Sequence, residues 1–177
     1  MKVYQQTTYE SCLACSLLMA VGEDIDREKE LELWKSGWDF KFMIGQFNKV
    51  AEDYSKELEV YIEWKAYFDY FKEQAVKGVN VYKSRVDGDL IKKILSKGRA
   101  VLYSDYYYTY MGEAHKPRWR GHFPHAVLAL EITKSGRVKV ADPYDGKLHY
   151  FKMSRLEDSI EGLRKLKFSP VLIGVYD

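Results

Sequence analysis

Hydrophobic and polar positions divide the chain into two regimes. Residues 11–21, SCLACSLLMAV, are an apolar segment with Gly22 directly after it. Ser at a helix start and Gly just past its end are favoured capping residues, so the pattern predicts a buried helix that begins beside Cys12. Residues 25–37 set Ile25, Leu31, Leu33 and Trp34 among charges, and residues 40–56 repeat the arrangement with Phe40, Ile44, Phe47, Val50 and Ala51. Both read as amphipathic helices. The segment 58–64, LEVYIEW, alternates as a strand does, while 67–77 and 87–97 read as helices, the second ending at Gly98.

The pattern then changes. Ala100–Ser104, His125–Thr133, Arg137–Ala141, Lys147–Met153 and Val171–Tyr176 are short runs rich in Val, Leu, Ile and Tyr. Turn signals such as Lys134-Ser135-Gly136 and Tyr144-Asp145-Gly146 separate them. Helices first and strands afterwards predict an α+β fold with N-terminal helices packed on an antiparallel sheet. At 177 residues the expectation is one domain, with a helical lobe at about 1–98 and a β-rich lobe at about 99–177.

Composition narrows the function classes. Apolar residues make up 46% and charged residues 31%, which excludes the signature of disorder. A net charge of +2, from 28 basic and 26 acidic residues, gives no reason to expect a nucleic-acid partner. No apolar stretch approaches the ~20 residues of a membrane helix. The N-terminal MKVYQQTTYE has no apolar core of a signal peptide, so a cytoplasmic protein is expected. Two cysteines make no disulfide framework. No oligomeric state follows from the sequence.

The candidate chemistry begins at Cys12. Taken alone it reads first as a buried structural thiol. At a helix start, however, a thiolate faces the positive end of the helix dipole, which favours the charged form. Gln6 lies in a polar run before that helix, where its amide can fold back as a second oxyanion donor beside the Cys12 N–H. His125 opens the apolar run AVLALEI, and the following strand ends in Asp142-Pro143. A hairpin would set Asp142 beside His125, because paired strands lie about 4.8 Å apart. Asp there can fix the imidazole tautomer.

Gln6-x5-Cys12 before an apolar helix, His125 before an apolar strand, and Asp142-Pro143 seventeen residues later resemble the C39 and C39-like peptidases, a papain-fold group. The resemblance implies a papain-like fold, thiol-dependent hydrolysis of peptide or amide bonds, a peptide or protein substrate, and neither cofactor nor metal. It places the nucleophile on Cys12, the base on His125, the orienting acid on Asp142 and the oxyanion donor on Gln6. Ser11 and Leu13 stand where the family usually has an acidic residue and Gly.

Competing readings remain at this level. His122 is an alternative base, Cys15 is expected to pack in the core, and His115 and His149 read as surface residues. The aromatic stretch from Asp105 to Gly121 reads either as a flap beside the cleft or as an ordinary loop. Cys12-x2-Cys15 with His122-x2-His125 would supply four ligands to a structural zinc. A catalytically inactive papain-like module that binds a peptide through the aromatic stretch is the third alternative.

Overall fold

A computed structural model describes residues 1–37, 43–105 and 123–176. Among these residues the chain forms six helices and seven strands. In order they are α1 (Cys12–Val21), α2 (Arg27–Lys35), α3 (Met43–Tyr54), β1 (Glu57–Ile62), α4 (Lys65–Gln74), β2 (Val79–Lys83) and α5 (Gly88–Leu95). There follow β3 (Arg99–Asp105), β4 (Pro124–Ile132), β5 (Arg137–Asp142), β6 (Lys147–Lys152), α6 (Met153–Lys165) and β7 (Val171–Tyr176). All seven strands join one sheet in the order β2-β1-β7-β3-β4-β5-β6. Every pairing is antiparallel except β1 with β2, where α4 provides the crossover that a parallel pair requires.

Helices cover both faces. On one side α1 and α3 pack Leu17, Leu18, Phe47 and Val50 against Leu58, Val60, Val101, Leu128 and Ile173 of the sheet. On the other, α5 and α6 bring Ile91, Ile94, Leu156 and Ile160 against Leu102, Val127, Val138, Val140 and Leu172. Alternate residues of β3 and β4 therefore enter different cores. This is why those strands read as continuous apolar runs rather than as alternating ones.

Helix α1 is the element that matters most for the site. Nine of its ten residues are buried, which explains why its sequence is apolar all round. Gly22 ends it at φ 84°, in the left-handed region that glycine occupies without strain. The Gly22 and Glu23 N–H groups donate back to the Met19 and Leu18 carbonyls, and the Arg99 guanidinium donates to the carbonyls of Met19 and Ala20. Near the other end, the Ser16 hydroxyl donates to the Ala126 carbonyl at 3.2 Å. That bond ties α1 to β4 one residue beyond His125.

The structure departs from the sequence reading in five places. Ser11 occupies the N-cap position, but its side chain makes no capping bond to the helix. Helix α6 and strand β2 were not expected, and Met153 opens α6 instead of ending β6. The sheet contains a parallel pair where an antiparallel sheet was predicted. Phe40 and most of the aromatic stretch, residues 106–121, lie outside the described residues, as do His115 and His122. Among the described residues no helix is long and apolar enough to cross a membrane.

Candidate active site

Three elements converge on one point. α1 starts at Cys12, β4 carries His125 as its second residue, and β5 ends on Asp142. The pairing of β4 with β5, Leu128 opposite Ala141, leaves His125 and Asp142 side by side at the strand ends. His125 Nε2 lies 2.7 Å from Asp142 Oδ1. Both residues are buried, at 2% and 0% exposure. Asp142 Oδ1 also accepts the Tyr144 N–H at 2.7 Å, which fixes the carboxylate within its own turn.

The Cys12 thiol lies near enough to the His125 ring to favour its charged form. Nε2 faces Asp142, so Nδ1 is the ring nitrogen on the other side of the imidazole. Burial alone would push the imidazolium pKa down, but the bond to Asp142 and the nearby Cys12 outweigh it and raise it to about 9. The ring is thus held between a carboxylate and a thiol, and its charged form is favoured by both.

Aromatic rings surround the imidazole. Phe123 and Tyr144 each meet it edge-on with centroids 6.2 Å away, and Tyr9 packs on Phe123 at 5.6 Å. Tyr103 is near enough to Cys12 for the thiolate charge, after burial, to help hold its phenol neutral.

The strap before α1 is docked on the Asp142 turn. Gln6 N–H donates to the Pro143 carbonyl at 2.7 Å, and Gln5 Nε2 donates to the Tyr144 carbonyl at 3.2 Å. Gly146 permits this approach: a Cβ there would sit 3.2 Å from Gln5 Cβ, and its φ is +67°. The Gln6 amide folds onto the loop before α1, where Nε2 donates to the carbonyls of Thr8 at 2.7 Å and Tyr9 at 3.0 Å. Its Oε1 is buried and has no partner among the described residues.

Cys15 is fully buried, with its sulfur 3.7 Å from the Tyr4 carbonyl. Burial pushes this thiol up, and the negative charges of Glu30, Cys12 and Asp142 act the same way. It packs in the core, with its sulfur directed at the Tyr4 carbonyl. Among the described residues no group of three or more His, Cys, Asp and Glu side chains is arranged to hold a metal. His149 is half-buried rather than a plain surface residue. It pairs with Asp145 at 3.0 Å and stacks on Phe151 at 5.8 Å.

Sequence reasoning missed Glu30. It reads as one charge in a charged helix, yet it is 1% exposed and receives hydrogen bonds from Thr7 and Ser11, immediately before α1. No local pattern marks it, because its burial depends on how α2 lies across the start of α1.

No protein-family profile and no curated protein matches this chain. Its structure is similar to the crystal structure of a proposed C39-like peptidase from Bacillus anthracis. The TM-score is 0.56, and the match covers 100% of this chain and 98% of the other. The chain has a papain-like α+β fold. At 13% identity the likeness extends to the fold, with nearly every side chain replaced.

Proposed function

We propose that this chain is a thiol-dependent hydrolase, a cysteine peptidase that cleaves peptide or amide bonds through an acyl-enzyme. The observation that carries the reading is the buried His125–Asp142 bond at 2.7 Å, with the Cys12 thiol close enough to the same ring to favour its charged form. A buried His and Asp held this way, next to a thiol at a helix start, are arranged as nucleophile, base and orienting acid. The papain-like fold supports the same assignment.

In the proposed mechanism His125 takes the Cys12 proton, and the sulfur attacks the carbonyl carbon. The oxyanion is held by the Cys12 N–H and by the Gln6 amide, which turns from the Thr8 and Tyr9 carbonyls to reach it. Collapse breaks the C–N bond, and His125 gives its proton to the departing amine. Water, deprotonated by His125, then releases the acyl group and restores the thiol. Asp142 touches no reacting atom; it orients the ring and favours its charged form. Incubation with peptides and identification of thioester-linked products by mass spectrometry tests the reading. Turnover that persists with the thiol blocked would overturn it.

The protonated ring sets the alkaline limit. Because the folded pKa of about 9 lies above the ordinary 6.5, turnover should fall as pH rises through about 9. The stability that this ring contributes is complete below about 6.5 and is lost as pH climbs through about 9. Asp142→Ala should shift the alkaline limb of kcat/KM toward neutral pH while leaving measurable turnover. An unmoved limb would show that Asp142 does not tune the ring.

A second reading has one observation in its favour. Both Gln6 amide protons are directed at the Thr8 and Tyr9 carbonyls, as suits a binding module with no oxyanion to stabilise. Gln6→Ala separates the two. For an oxyanion donor, turnover falls about a hundred- to a thousandfold with thiol alkylation largely kept. Full turnover in this variant would remove Gln6 from the mechanism.

A further inference from the structure

We propose that Glu30 is a positioning residue, which holds the segment between Gln6 and Cys12 in the geometry that acyl transfer needs. This rests on the hydrolase reading above. Glu30 is nearly sealed from solvent at 1% exposure, whereas Glu28 and Glu32 on the same helix are exposed. A buried carboxylate is costly by several kcal/mol unless its oxygens are fully hydrogen-bonded. No ion pair to Glu30 occurs among the described residues. Its partners come instead from one short segment. Oε1 accepts the Thr7 N–H at 2.7 Å and the Ser11 hydroxyl, and Oε2 accepts the Thr7 hydroxyl at 2.7 Å.

That segment is the link between two parts of the proposed site. Ser11 Oγ accepts the Thr8 N–H at 3.0 Å, and the Thr8 and Tyr9 carbonyls hold the Gln6 amide. Ser11 also immediately precedes Cys12. Glu30 therefore fixes the loop on which Gln6 rests. The His125–Asp142 pair is held separately, by the sheet and by the Ser16 bond to Ala126. Loss of Glu30 should misplace the oxyanion side of the site and leave the thiol–imidazole pair nearly intact. This also accounts for Ser11: its hydroxyl serves Glu30 and Thr8, so it does not cap α1.

The test compares Glu30→Ala with Glu30→Gln. Glu30→Ala should lower kcat by about ten- to a hundredfold, the scale of a small misplacement of reacting groups. Cys12 alkylation should stay within about threefold of wild type, as a separately held pair requires. Glu30→Gln should restore most of the turnover, because its amide oxygen accepts the Thr7 N–H and the Ser11 hydroxyl and its NH2 faces the Thr7 hydroxyl, which is free to rotate. Unchanged turnover in Glu30→Ala, a Gln variant as poor as the Ala variant, or parallel collapse of alkylation and turnover would each overturn the proposal. If Glu30→Ala does not fold, Thr7→Val removes one of the three bonds and should give a several-fold loss of turnover; no loss would overturn it. Absence of turnover in the wild type would instead defeat the hydrolase reading. Amide hydrogen exchange still decides the placement of Glu30 in that case. The Thr7 and Thr8 amides should exchange at least about tenfold faster in Glu30→Ala, with β4 and β5 unchanged. Unaltered protection at those two amides would overturn it.

Discussion

Replacing Cys12 by alanine is expected to abolish acyl turnover. Loss of the nucleophile in a comparable triad lowers kcat on the order of a millionfold, because the remaining groups have nothing to acylate. Cys15, one turn along the same helix, cannot substitute. It is fully buried, its sulfur faces the Tyr4 carbonyl, and burial keeps it a neutral thiol. The helix itself should survive. Ala is the best helix former, and the neighbouring Ala14 is already accommodated with no exposure. Turnover with a peptide substrate and a thermal melt on the same preparation check both parts. Residual turnover above about one per cent of wild type would mean that another group attacks the acyl carbon.

His125→Ala should be nearly as damaging, for two separable reasons. The thiol loses its base and the cation that favours the thiolate. Alkylation of Cys12 at pH 6 should therefore slow in this variant. The fold also suffers, because Asp142 is left fully buried without its ring partner. Removing one member of a buried charge-bearing pair costs about 3–5 kcal/mol. His125→Asn offers a donor to Asp142 but no base, and distinguishes the two effects. It should regain stability relative to His125→Ala while remaining inactive. Recovery of activity in His125→Asn would show that the ring acts only as a structural donor.

How much of this was legible in the sequence follows from how local each determinant is. Helix α1 could be read because nine buried residues in succession leave only apolar positions. The pairing of His125 with Asp142 could be read because a hairpin converts sequence separation into register. β2 could not: it is a short edge strand with mostly exposed residues, and its partner β1 is reached only through the α4 crossover. α6 does carry Leu156, Ile160 and Leu163 at helical spacing, but Gly162 and a dense set of charges dilute the signal. Ser11 was read as a cap from its position. A tertiary contact to Glu30 redirects its hydroxyl. Gln6 was expected to fold back toward the helix start, and its amide is instead held by two carbonyls of the preceding loop. That last detail depends on the conformation of residues 7–11, which no periodic pattern encodes.

The most direct test of the central claim is site-resolved alkylation of the wild-type protein at about pH 6, where an ordinary thiol is almost wholly protonated. A small iodoacetamide-type probe, followed by peptide mass spectrometry, reports each cysteine separately. The account predicts fast labelling of Cys12, none of Cys15 in the folded protein, and loss of the Cys12 signal in His125→Ala. Labelling of Cys12 no faster than that of an ordinary thiol, or equally fast with His125 removed, would contradict it.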